Sequence, residues 1–371
     1  MNFTLPTYTP PDFTSPLLAT APIVTFDKVK KDGVAPTNYH ATTIFPEYFK
    51  LDIDKWELVA QSRMDSVVVY TTDGRLDVRE FRRLKKGDCV VVGRSVNGEE
   101  GIYVHTQGFH FPEEERGKFS FRSSRSRETA FSIDYDQLYG LLEHDRREGR
   151  IIWVVGPAVV FDHDAREAFA KLIRQGYVHA LLAGNAMATH DIEATFFGTA
   201  LGQQLYHQAT IASGHYHHLD AINTIKAVGS IEQAVENGVL KEGVMHSLVT
   251  NHVPYVLAGS IRDDGPLPGV IGDVYEAQDR MRAHTRQATT VIGLATQLHT
   301  IASGNMTPSY SFDKQGNVRP VYFYLVDMSE FAVNKLADRG SLIARSILTN
   351  VQDFIVTLQR GLKKRASTSP E

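Results

Sequence analysis

Residues 151–156 read IIWVVG, a continuous apolar run closed by glycine. Such a run, with no alternation of polar residues, suits a strand buried on both faces of a parallel sheet. Four runs of the same texture follow: VHALLAG (178–184), YVLAGSI (255–261), TTVIGLA (289–295) and VYFYLVD (321–327). Stretches with helical spacing separate them. DYDQLYGLLEHDRREG (134–149) is amphipathic, and a helix is predicted from about Asp164 to Gln175. Another opens near HDIEATFFG (190–198), a long one surrounds AINTIKAVGSIEQAVENG (221–238), and DVYEAQDRMRAHTRQA (273–288) and SEFAVNKLADRG (329–340) complete the set. Strand and helix alternating in this way predict crossover units, and hence an α/β fold with a mostly parallel sheet covered on both faces.

Upstream the texture is different. MDSVVVYTTDGRLDVREF (64–81) carries an apolar run, a turn signal at Asp73 and Gly74, and further β-branched residues, and CVVVGRSVNGEEGIYVHTQGF (89–109) repeats the pattern. The expected organisation is an extended arm over 1–25, a smaller β-rich domain over 26–137, and the α/β domain over 138–371. The tail LKKRASTSPE (362–371) is expected to fray.

Composition limits the partners. The 371 residues carry 39 basic and 43 acidic side chains, a formal charge of −4 that leaves no global footprint for nucleic acid or anionic membrane. The single cysteine, Cys89, excludes an internal disulfide framework and a cysteine-based zinc cluster, and fits a reducing, cytoplasmic setting. The N-terminus MNFTLPTYTPPDFTSPLLATAP lacks the basic leader and apolar core of a signal peptide, and no window approaches the roughly 18 apolar residues of a membrane span.

In an open parallel sheet, ligands bind beyond the carboxyl ends of the strands. That rule selects GPAVV (156–160), GNAMATHD (184–191), SIRDDGPLP (260–268), TQLHTIASGN (296–305) and DMSE (327–330), read as polar loops. Asp327 can accept hydrogen bonds from a ribose diol, or cap the helix that follows. Gly184–Asn185 permits close backbone approach of an anion or amide; a turn capped by Asn185 or Asp191 is the alternative. Arg262, Asp263 and Asp264 form either an internal ion pair or a cofactor- and substrate-facing set. His299, read as starting a helix after VIGLATQ, could relay a proton or hold a polar oxygen. No GxGxxG follows any strand, so the common dinucleotide fingerprint is missing. His215, His217 and His218 lie together in SGHYHHLDAIN, but adjacent histidines cannot share one helix face and no HExxH is present; no metal is expected. The basic run FSFRSSRSRET (119–129), with Arg122, Arg125 and Arg127, could bind a carboxylate or phosphate, or lie along a solvated strand edge.

These blocks in combination, with LLAGNAMATHDIEATFFGTALG (181–202), HHLDAIN (217–223), GSIEQAVENGVL (229–240) and KLADRGS (335–341), closely resemble the LOR/SDH-domain family. That family includes archaeal-type ornithine cyclodeaminases and the C-terminal part of cyanobacterial arginine dihydrolase/ornithine cyclodeaminase. KKDGVAPTNYHATT (30–43), SRMDS (62–66), LKKGDCVVVG (84–93) and FRSSRSRE (121–128) extend the resemblance to the N-terminal part. It implies a Rossmann-like domain similar to that of deoxyhypusine synthase, binding NAD without the glycine fingerprint. It places cofactor contacts on Asn185, Ala186, Asp264, Thr296, Gln297, Leu298, His299, Asp327, Asp338 and Arg339. The implied reaction turns an amino-acid substrate, L-ornithine, into L-proline and ammonia. Such chemistry requires a base to free each amine and a cation for the carboxylate, and we assign Asp263 or His299 as base and Arg122 or Arg262 as clamp. A homo-oligomer is also implied.

The chain departs from the family pattern at FDHDA (161–165), Asp220, Arg122, Gln297 and the longer connection SYSFDKQGNVRP (309–320). Charge changes near a site alter substrate more readily than cofactor. A net amino-acid or opine-type dehydrogenase and a noncatalytic NAD-binding homologue therefore stand as alternatives.

Overall fold

A computed structural model describes residues 3–111, 131–207, 209–263, 265–329 and 341–368. Its centre is a six-stranded parallel sheet built from β1 (Ile151–Val155), β2 (Ala180–Gly184), β3 (Tyr255–Ala258), β4 (Thr290–Leu294), β5 (Tyr322–Asp327) and β6 (Ile343–Leu348). The spatial order is β3-β2-β1-β4-β5-β6. The expected parallel sheet is present, and this order reverses direction between β1 and β4, as in dinucleotide-binding folds.

The unbroken apolar texture of β1 has the consequence anticipated for it. Ile151, Trp153 and Val155 enter one core, while Ile152 and Val154 enter another on the opposite face, and all five are fully buried. The first face is covered by α1 (Phe131–Glu148), α2 (His163–Arg174), α3 (Asn185–Phe197), α4 (His217–Val228), α5 (Ile231–Glu236) and α6 (Gly243–Thr250), together with the C-terminal helix. The second is covered by α7 (Val274–Thr285) and α8 (Gln297–Met306). The C-terminal helix, α9, spans Val351–Thr368.

Four expectations need correction. GNAMATHD is no loop: it contains the first two turns of α3, because nothing in Asn185–Asp191 resists the helix once Gly184 has turned the chain. The long helix around 221–238 is two, broken where Gly229 adopts φ 116 and the Ser230 hydroxyl accepts the Gln233 N–H at 3.1 Å. The strand β6 escaped notice because Arg345 and Ser346 interrupt its apolar pattern at a half-exposed edge. The tail does not fray from Leu362: that residue is buried and the helix continues to Thr368.

The β-rich part comprises a four-stranded antiparallel sheet (Thr25–Lys28, Cys89–Val92, Val67–Tyr70, Leu76–Arg79) and a three-stranded one (Lys55–Leu58, Glu47–Asp52, Ile102–Val104). Val24, Phe49, Val59, Val68, Val78, Val91 and Ile102 form a core common to both sheets. The lead-in is partly structured: Thr7–Tyr8 pairs with Phe109–His110, Pro16–Ala19 forms a helical turn that buries Leu18, and Phe3 packs edge-on to Tyr322. Among the described residues no helix is long and apolar enough to cross a membrane.

Candidate active site

The switch point lies where β1 and β4 end side by side. The Gly156 N–H donates to the Leu294 carbonyl at 2.8 Å, and a Cβ on Gly156 would come within 2.2 Å of the Ala295 carbonyl oxygen. Only glycine permits that approach. Ala295 itself takes φ 46, the left-handed region that side chains other than glycine's seldom adopt. The chain then enters α8, and His299 in its first turn reaches back over the sheet. A Cβ on Gly184, at the end of β2, would stand 3.0 Å from His299 Cε1. Since β1 separates β2 from β4, this imidazole crosses the carboxyl end of β1. Its Nδ1 lies 3.4 Å from the Thr296 hydroxyl, and burial holds its pKa below the usual value of 6.5, which favours the neutral ring.

Asn185 joins the same corner from α3. Its Nδ2 donates to Asp263 Oδ1 at 3.3 Å, and its Oδ1 accepts the Leu267 N–H at 3.1 Å and the Thr189 hydroxyl at 3.3 Å. Asp263 Oδ2 accepts the Ser260 N–H at 2.7 Å. Asn185, Asp263 and His299 are thus brought together, with Ala186 and Thr296 partly exposed beside them and Gln297 and Leu298 exposed at the start of α8. Asp327 ends β5, next to β4; its Oδ1 accepts the Ser329 N–H at 2.8 Å and its Oδ2 has no partner among the described residues. Arg262 is exposed, and among the described residues it makes no ion pair with Asp263. Asp264, Arg122, Arg125, Arg127, Asp338 and Arg339 lie outside the described residues.

The helix termini differ in a telling way. The N-termini of α2, α5 and α7 are capped by the side chains of Asp162, Ser230 and Asp273. At α6, Asp191 takes that role, accepting the Val244 and Met245 N–H groups at 2.9 and 2.7 Å while pairing with the buried Arg166 guanidinium at 2.7 Å. By contrast α3 and α8, which open at the carboxyl ends of β2 and β4 on either side of β1, have no side-chain cap, and neither has α4. The first N–H groups of α3 and α8 are left for an anion, with the helix dipoles adding to the attraction.

A second constellation, unforeseen from the sequence, adjoins the first. His190 lies one helical turn beyond Ala186 on the same face of α3, and Phe161, from the connection after β1, packs edge-on to its ring at 5.4 Å. His190 Nδ1 is 2.7 Å from Glu193 Oε2; the Thr199 hydroxyl donates to Glu193 Oε1 at 2.9 Å and lies 2.8 Å from His217 Nδ1. Burial would raise the Glu193 pKa, but His190, the Gly202 N–H and Thr199 outweigh it and hold the carboxyl below its usual range. Because Thr199 donates to the carboxylate, His217 must donate to Thr199, and His190 donates to Glu193. The Nε2 of each imidazole is therefore the atom left outside the chain His190–Glu193–Thr199–His217. The spacing His-x-x-Glu within a helix was the available signal; the approach of Thr199 and His217 depends on tertiary folding. The three histidines of 215–218 diverge: His215 lies against Tyr216, His217 stacks on Phe197, and His218 faces His190 at 6.4 Å.

Residues 139–358 match the model for the arginine dihydrolase ArgZ-like C-terminal Rossmann fold, and residues 50–130 match that for the first region of the same C-terminal part. The chain belongs to the ArgZ-like C-terminal family. The ornithine cyclodeaminase of Methanocaldococcus jannaschii is 42% identical over 349 residues, covering 92% of this chain and 78% of that protein. A conserved LOR/SDH protein of Methanococcus maripaludis S2 superposes with a TM-score of 0.79 at 36% identity, covering 93% of this chain and 98% of the other. The ternary complex of AgrE with ornithine and NAD+ gives a TM-score of 0.59 at 34% identity, covering 94% of this chain and 47% of AgrE. The ArgZ-like family membership thus agrees with the resemblance read from the sequence blocks.

Proposed function

We propose that this ArgZ-like chain is an NAD-dependent ornithine cyclodeaminase, converting L-ornithine or a close diamino acid to L-proline and ammonia. The observation that carries the reading is the neutral His299 imidazole lying over the strand-order switch point between two uncapped helix N-termini. A ligand complex of the relative AgrE, with ornithine and NAD+, supports it.

The residues suit the cofactor. The free N–H groups of α3 and α8 would hold the pyrophosphate, and Asp327 Oδ2 would accept the ribose hydroxyls. Asn185, Ala186, Thr296, Gln297, Leu298 and His299 line the same edge, and we keep Asp264, Asp338 and Arg339 in the cofactor set. When bound, NAD supplies reversible hydride acceptance at the α-carbon, so oxidation, ring closure with loss of ammonia, and reduction leave no net redox change.

The chain's own task is to move protons and fix orientation. Asp263 or His299 takes the proton from the amine that must carry a lone pair, and Arg122 or Arg262 clamps the carboxylate. The Nε2 atoms of His190 and His217, with Nδ1–H fixed by the Glu193–Thr199 pair, pass protons between the site and solvent and return one to the departing ammonia. We divide the chain into an arm (1–25), a β-rich domain (26–137) and the nucleotide-binding domain (138–371), and propose a cytoplasmic homo-oligomer. The exposed Leu201, Tyr206, Tyr216 and Leu219 favour self-association.

Incubation with L-ornithine and catalytic NAD tests the function. Proline and ammonia in equal amounts, without growth of the NADH absorbance, are expected. Stoichiometric NADH would mean a net dehydrogenase; NAD binding without turnover of any diamino acid would mean a noncatalytic homologue.

A further inference from the structure

The β-rich part meets α7 through an unusual concentration of arginine. Six guanidiniums, of Arg63, Arg79, Arg82, Arg83, Arg282 and Arg286, surround four carboxylates, of Asp77, Glu80, Asp88 and Asp279. The carboxylates are shared. Glu80 serves Arg63, Arg83 at 3.5 Å and Arg282 at 2.8 Å; Asp279 serves Arg82, Arg83 and Arg282. Arg79 takes Asp77 at 2.7 Å and Asp88 at 3.1 Å. Arg286 has no carboxylate within ion-pair distance among the described residues, and its Nη2 donates only to the Val78 carbonyl at 3.3 Å. Two positive charges are therefore left over.

The donors are also incompletely used. Among the described residues the buried Arg63 Nη1 and Arg286 Nε have no hydrogen-bond acceptor. Burial and the neighbouring guanidiniums push the Arg63 pKa down to about 9 and that of Arg282 to about 10, and Arg286 is lowered too. Such crowding is costly unless an anion neutralises it. In front of the group opens a cleft of about 520 Å³ lined by Asp77, Arg79, Arg82, Arg83, Lys85, Asp279 and Arg286. It is far from the candidate active site in topology. The helix α7 runs from the carboxyl side of β3 to the amino end of β4, and Arg286 stands four residues before β4 begins, so the cleft lies toward the amino edge of the sheet.

We propose that this cleft binds a small dianionic oxyanion, a phosphate group either free or carried on a metabolite, as a site separate from the cofactor edge. Forked guanidiniums match phosphate oxygens in pairs, and two surplus charges match a dianion. Such a ligand would tie Arg79, Arg82 and Arg83 of the β-rich part to Arg286 at the end of α7, so its occupancy would set how firmly the two parts are joined.

The probes are inorganic phosphate and glycerol 3-phosphate, each titrated calorimetrically into the full chain with NAD present and ionic strength held constant with sodium chloride. Expected is saturable binding of about one phosphate per chain, at least tenfold weaker in R286Q. R286Q breaks no ion pair, so its melting temperature in phosphate-free buffer should equal or exceed that of the parent, while its NAD affinity is unchanged. Tighter glycerol 3-phosphate than phosphate would identify a metabolite-borne group, and the reverse would identify the free ion. Phosphate acting no differently from chloride, or acting equally on parent and R286Q, would overturn the proposal and leave the arginines as an internal clamp.

Discussion

His299 is the residue on which chemistry and environment bear most directly. Burial lowers its pKa, so as pH falls the unfolded chain takes up the proton before the folded one. The folded state therefore keeps a neutral ring at pH 6.5, and its contribution to stability is present above that pH and declines as pH falls below it. An imidazole NMR titration should find half-protonation of His299 below 6.5, and H299N should lower kcat/KM by roughly 10²- to 10⁴-fold, the usual worth of a positioned acid or base. Asp263 is the competing base. D263N should slow the hydride step in single-turnover experiments, and unchanged hydride transfer would remove Asp263 from that role. The relay is separable from both: E193Q removes the carboxylate charge beside His190 Nδ1 and turns one of the two acceptor oxygens into a donor, and should move the pH profile of kcat while NAD affinity stays constant. An unmoved profile would leave His190 and Glu193 as packing.

Elements explain why these side chains meet. The five runs recognisable as strands are those buried on both faces, where apolar continuity is itself the signal. The sixth, β6, is a half-exposed edge strand whose Arg345 reaches Gln137 of α1, so its pattern records a tertiary contact instead of a period. The placement of Asn185, Asp263, His299 and Asp327 at the carboxyl edge of the sheet was legible because each follows a recognisable strand. The link from Thr199 to His217 was not, because 18 positions separate residues whose contact is set by the intervening fold. Gly156 tests the element-level account. G156A would force the β1 and β4 ends apart, at a cost of about 1–3 kcal/mol for overpacking, and should weaken NAD binding with it. Thermal denaturation with and without NAD would measure both. A variant as stable as the parent, with the same affinity, would mean that the close approach of these ends has no role.

For the whole molecule, buried ionic centres hold distant segments together, as at Arg166–Asp191 and at two others. Arg319 makes a two-pronged pair with Asp145 at 2.9 and 3.1 Å, joining the connection before β5 to α1. Glu80 binds three arginines drawn from both the β-rich part and α7. Removing one partner of a buried pair strands the other charge, so E80A should lower the unfolding free energy by roughly 3–5 kcal/mol, measurable in urea. Loss near zero would place the attachment of the β-rich part elsewhere. The assembled molecule is expected to return the hydride it takes from the substrate. L-Ornithine deuterated at the α-carbon, turned over with unlabelled NAD, tests it most directly. Proline that retains the deuterium at its α-carbon, one ammonia per proline and no accumulated NADH are expected; deuterium appearing in free NADH, with an oxidised amino-acid product, would contradict cyclodeamination.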